Sequence, residues 1–136
     1  MFRQIFVNLP IKDMARSQAF FKSLGLSFNP RFTNEQGACL EIGENFYAML
    51  LVEPFFQGFT QKPIGDARKT TEVILALSVD SRAEVEEVIR KAVAAGATRI
   101  PEAKDFGFMF QDGFADLDGH QWEVFWMDEA AAPEQM

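Results

Sequence analysis

Few residues in this 136-residue chain can do chemistry. There is one histidine, His120, and one cysteine, Cys39. One imidazole furnishes neither a two-His, two-Glu lyase centre nor a two-His, one-carboxylate iron centre within a single chain. Placed beside Asp118-Gly119, His120 reads as an exposed hairpin residue. Cys39 has no flanking histidine or cationic cluster to activate it, so it reads as a small buried hydrophobe. A lone cysteine forms no internal disulfide, which suits a reducing cytoplasm. Glu123 is the carboxylate of interest, because strand parity sets it among Phe6, Ile74 and Phe125. Charge among such rings costs desolvation unless a ligand cation or donor pairs with it. Two roles fit, a ligand anchor and a general base; the structural alternative is a carboxylate hydrogen-bonded to Asn8 or water. Asp116-Leu117-Asp118-Gly119 invites a calcium reading, but Asp-Gly is turn chemistry and predicts a type I′ hairpin.

These residues must be held by elements that the hydrophobic pattern defines. Ile5, Val7, Leu9 and Ile11 alternate with Gln4, Phe6, Asn8 and Pro10, so residues 3–11 form a two-faced strand. Asp13 caps a helix whose buried stripe is Phe20, Phe21 and Leu24, and Gly25 stops it. The second half repeats the plan. Val73, Leu75, Leu77 and Val79 alternate with Ile74, Ala76 and Ser78, and Ser81-Arg82-Ala83-Glu84 has the form of a capping box. Val85, Val88, Ile89 and Ala92 make the next stripe, with Glu86–Arg90 and Glu87–Lys91 spaced as ion pairs on its solvated side.

Ile11 corresponds to Val79, half a chain length further on. Each helix is followed by three predicted strands, over residues 26–32, 37–43 and 46–53, then 97–100, 108–116 and 120–127. Turns at Gly43-Glu44-Asn45 and Asp118-Gly119 join the last two of each set. The expected organisation is one α+β domain over 1–136, with β-α-β-β-β units at 1–53 and 71–127 and a frayed tail at 128–136. The segment 54–70 between the units is long for a simple connection. Its Phe55, Phe56 and Phe59 are read either as a seal on the core or a dimer contact, or as a lid over a ligand.

Certain stretches in this order resemble the vicinal-oxygen-chelate superfamily, which contains glyoxalase I, extradiol dioxygenases, and bleomycin- and fosfomycin-resistance proteins. They are Leu9-Pro10-Ile11-Lys12-Asp13 leading into Arg16-Ser17 and Phe20-Phe21, then Leu24-Gly25, Ala76-Leu77-Ser78-Val79-Asp80, and Asp116-Leu117-Asp118-Gly119 running into Trp122-Glu123. The resemblance covers nearly the whole chain. It implies an open half-barrel mixed sheet with helices on the outer face and a concave pocket holding a divalent metal. The metal ligands it implies are a histidine on the first strand and a carboxylate on the last strand of each half. Phe6 and Ile74 stand at the histidine positions, Met49 or Leu50 at the first carboxylate position, and Glu123 at the second. One carboxylate does not hold a metal, so neither a metal nor another cofactor is expected.

With the all-apolar strand faces under the helices, parity turns Phe6, Asn8, Ile74, Ala76, Gln121, Glu123 and Phe125 toward the pocket. Phe108 and Phe110 are candidate walls, as is Phe106. The expected function is a metal-independent small-molecule binder of the bleomycin-resistance kind, taking an apolar, aromatic or cationic ligand. The alternative is a lyase, isomerase or dioxygenase-like enzyme with Glu123 as base, similar to lactoylglutathione lyase. A third reading is an interaction domain without a ligand. A net charge of −7 argues against nucleic acid, which needs a basic face. No apolar run approaches the roughly 18 residues of a membrane span, and the first residues lack a signal-peptide pattern, so the cytoplasm is the expected location. Fifteen phenylalanines are more than a small core uses, and a homodimer is expected to cover some of them.

Overall fold

The computed structural model describes residues 1–100 and 102–135. It divides into two compact units, Met1–Asp66 and the chain from Ala67 onward.

The first unit runs β1 (Ile5–Ile11), α1 (Met14–Ser23), β2 (Ser27–Asn29), β3 (Gly37–Gly43), β4 (Phe46–Val52) and α2 (Glu53–Gln57). Its sheet order is β1-β4-β3-β2. The first and last strands are parallel neighbours, and the remaining pairs are antiparallel. The Asp13 carboxylate accepts the Arg16 amide at 3.0 Å, starting α1. Phe20 and Phe21 of α1 are buried with Leu9, Ile11, Leu40 and Leu50. Burying each such side chain contributes about 1.5–3 kcal/mol. The strand predicted over 26–32 stops at Asn29. Pro30 fixes the first residue of a 3₁₀ turn, Pro30–Phe32, and the Asn29 side chain accepts the Arg31 amide at 3.0 Å. The predicted connection also holds structure, since α2 packs on β1 and β4.

The second unit runs β5 (Ile74–Ser78), α3 (Arg82–Ala94), β6 (Thr98–Arg99), β7 (Lys104–Asp105), β8 (Met109–Ala115) and β9 (Gln121–Met127). Its sheet order is β5-β9-β8-β6, with β7 also on β8. The parallel pairing of first and last strands recurs as β5 with β9. Neither sheet closes into a barrel. Ser81 Oγ accepts the Glu84 amide at 3.1 Å, but Glu84 Oε2 reaches back to the Asp80 amide at 2.8 Å, one residue beyond a standard capping box. On α3 the predicted Glu86–Arg90 pair gives way to Arg90–Glu87 and Arg82–Glu86. Trp122, Phe114 and Val124 are buried with Val85 and Ile89 beneath α3.

The β8–β9 turn differs from the type I′ expectation. Type I′ needs two residues at positive φ, and here only Gly119, at +91°, has one. The turn closes through Gly119 N–H to Asp116 O at 3.0 Å and Asp116 N–H to His120 O at 2.9 Å. Asp116 organises it. Its Oδ1 accepts the amides of Asp118 and His120 at 2.9 and 3.0 Å, and its Oδ2 accepts the Trp122 indole N–H at 2.9 Å. His120 is consequently half-buried, contrary to the exposed position expected for it.

Candidate functional site

Strand alternation gives each sheet a helix-side face and an open face. On β9, Trp122 and Val124 are buried under α3, while Gln121, Glu123 and Phe125 are half-buried on the other side. Register places Ile74 beside Gln121, Ala76 beside Glu123, and Ser78 beside Phe125. From β8, Ala115, Gly113 and Gln111 stand opposite the same three residues. Glu123 therefore has Ala76 and Gly113, two of the smallest residues, as its direct cross-strand neighbours. Neither Glu123 nor Gln121 makes a side-chain hydrogen bond or ion pair with another described residue. The Asn8 partner considered from sequence is not engaged.

The open face of the first sheet carries Phe6, Asn8 and Pro10 beside Tyr47, Met49 and Leu51. Phe6 is 48% exposed and stacks on Tyr47 with ring centroids 4.7 Å apart and planes 13° apart. Met49 pairs with Asn8 as Glu123 pairs with Ala76, whereas Leu50 pairs with Leu9 on the buried side. The first carboxylate position that the resemblance implies is thus Met49. Tyr47 was missed because a one-residue uncertainty in hairpin register exchanges the two faces of a strand. Of the connection's rings, Phe55 packs edge-on against Phe59 at 5.2 Å, and Phe56 is half-buried. A Cβ on Gly37 would lie 3.8 Å from the Phe55 ring and 3.0 Å from Leu51. The Gly37–Leu51 end of this open face is covered by α2.

Phe110 does not belong with these residues. It pairs with Trp126, on the helix-side face of β8, is 7% exposed, and lies under the Arg82 guanidinium at 4.1 Å. Gly107 at φ +83° and the short β7 set the β8 register that turns it there. Phe108 lies one residue outside β8, half-buried, its ring 6.4 Å from that of Phe106.

Titration behaviour elsewhere has plain causes. Burial pushes the Asp116 carboxyl above the usual range, against the pull of His120, the Trp122 indole and two amides. Cys39 is buried, and burial, helped by Glu41, pushes its thiol up.

Residues 3–43 match the family model described as bleomycin resistance protein-like N-terminal. No curated protein sequence matches the chain. A hypothetical protein from S. aureus is 26% identical, with a TM-score of 0.79, over 93% of this chain and 95% of that one. A glyoxalase/bleomycin resistance protein/dioxygenase family enzyme from Burkholderia phytofirmans PsJN shares the fold at 18% identity and TM-score 0.75, over 90% and 96%. So does the fosfomycin resistance protein FosX from Listeria monocytogenes, at 16% identity and TM-score 0.67, over 93% of each chain. Residues 3–43 thus resemble the N-terminal part of bleomycin-resistance proteins, and the chain has the fold of glyoxalase/bleomycin-resistance proteins.

A divalent metal is the cofactor that the resemblance implies, and the donor set does not fit one. The implied ligand positions hold Phe6, Met49, Ile74 and Glu123. Among the described residues no three His, Cys, Asp or Glu side chains converge. A hard cation would find one carboxylate and no imidazole.

Proposed function

We propose that this protein binds a small aromatic cation on the open face of its second sheet and needs no metal to do so. One observation carries the reading: Glu123, which no described residue engages by hydrogen bond or ion pair, stands between Ala76 and Gly113 and is framed by Ile74 and Phe125. Small flanking residues leave room over the carboxylate, and the apolar frame takes the ligand's body. A few placed polar groups in an apolar surround are the usual make-up of a ligand site. Gln121, next along the face, offers both a donor and an acceptor.

The test is calorimetric titration with N-methylquinolinium and with naphthalene-2-sulfonate, an aromatic anion of similar size. Cation binding is expected to exceed anion binding, and Glu123→Gln to weaken the cation by about tenfold or more, since a charge-assisted contact is worth roughly 1.5–3 kcal/mol. Protein purified without chelator is expected to carry less than about 0.2 equivalents of Zn, Ni, Fe or Mn, its ligand positions being apolar. Equal affinity in Glu123→Gln, or near-stoichiometric metal lost in that variant, overturns the reading.

A further inference from the structure

We propose that the second unit carries a second small-molecule site, for an amphipathic carboxylic acid, in the groove between α3 and the helix-side face of β8. The groove encloses about 510 Å³, within the roughly 300–1,000 Å³ typical of ligand sites. Its floor is apolar, formed by Ile89, Val93 and Phe110, and Val93 is 44% exposed. Glu86, Arg90, Arg99 and Asp112 form the rim. Asp112 and Phe110 alternate along β8 with Gln111 and Gly113, so this groove lies on the opposite face of the sheet from Glu123.

The sign of the ligand follows from how the rim charges are engaged. Asp112 is buried, and both its oxygens are taken, one by Arg99 Nη2 at 2.6 Å and the other by the Gly113 amide at 2.8 Å. Glu86 accepts from Arg82 Nε at 3.3 Å. Arg99 donates only through Nη2, and Arg90 only through Nε and Nη2 to Glu87. Nη1 of both arginines and Nε of Arg99 thus have no acceptor among the described residues. Asp112 is fully engaged and Glu86 is engaged through one oxygen, while guanidinium donors of Arg90 and Arg99 are left over. A carboxylate head matches those donors in shape and charge, and a hydrocarbon or aryl body covers Val93 and Phe110. Asp112 also fixes one edge of Arg99, so less side-chain freedom is lost when the other edge binds.

The test is an amide NMR titration of the full chain with indole-3-acetate and with indole-3-acetamide, which keeps the shape and loses the charge. Saturable shifts are expected at Val93, Arg99 and Phe110, with the acetamide weaker by about fivefold or more. Arg90→Gln should weaken indole-3-acetate severalfold, and Val93→Glu should abolish its binding with the circular dichroism spectrum unchanged. Arg99→Gln is avoided, because it strands the buried Asp112. No saturable shift on α3 or β8, or equal binding of the acetamide, overturns the proposal. Shifts confined to Gln121, Glu123 and Phe125 also overturn it, and leave the reading of the open face standing.

Discussion

Two carboxylates, Asp116 and Glu123, show how environment sorts one residue class into different work. Asp116 is 7% exposed and accepts three N–H groups, whereas Glu123 accepts none from the described residues. Asp116→Asn keeps the shape but turns an NH₂ toward one of those donors. It is expected to cost about 1–3 kcal/mol in denaturant unfolding, the penalty of a buried group left unsatisfied. The pH dependence has a definite sign. A carboxyl whose folded value is raised binds its proton more tightly folded than unfolded. Its contribution is fully present below the unfolded value of about 3.9 and is lost as pH rises through the folded value. The stability gap between wild type and Asp116→Asn should therefore be widest at acid pH and narrow above it. An unchanged midpoint at every pH would show that Asp116 does not hold the turn.

At the scale of elements, the β8–β9 turn also holds the chain that enters the second unit. Arg68 Nη2 donates to the Leu117 carbonyl. A Cβ on Gly119 would sit 2.9 Å from Arg68 N and 3.0 Å from Ala67 C, which are backbone atoms with little freedom to yield. Gly119→Ala adds strain at φ +91° to that clash. A loss of about 1–3 kcal/mol is expected, read as a lowered thermal midpoint; a midpoint equal to wild type would count against the close approach. Much at this scale was legible in sequence. Two-residue alternation and capping residues are local signals, and they located α1, α3 and the long strands to within a few residues, but not α2. The turn was not legible, because Asp118-Gly119 advertises one geometry locally while the more distant Trp122 indole and His120 amide recruit Asp116 to another. Phe110 was misplaced for a related reason. Its face depends on β8 register, which β7 and β9 set from outside the strand. Ile74, Ala76, Gln121 and Glu123 share one face of the sheet, since unbroken alternation fixes its parity.

For the whole molecule, exposed apolar side chains are the main unbalanced term. Ile5 and Phe46 in the first unit and Val73 in the second are all more than two-fifths exposed, and β1 and β5 are the end strands of their sheets. Unpaired edges with apolar side chains favour association. We propose that two copies pair through them, burying more than about 1,000 Å² in total, the lower bound of a specific interface. Sedimentation should give twice the 15.4 kDa chain mass, and Ile5→Glu should shift it toward the monomer. A single 15.4 kDa species at high protein concentration would dispose of the proposal.

The neighbours of Glu123 also bear on the room in the proposed site. Gly113 is locked, because a Cβ there would lie 2.7 Å from the Trp122 carbonyl oxygen. Ala76 is exposed and bounds the other side of the carboxylate. Of the two residues that set the room above Glu123, one is held by the fold and the other is free to drift. A larger side chain at Ala76 would narrow the space above Glu123 without disturbing the core, which gives the proposed site one adjustable wall beside a fixed one.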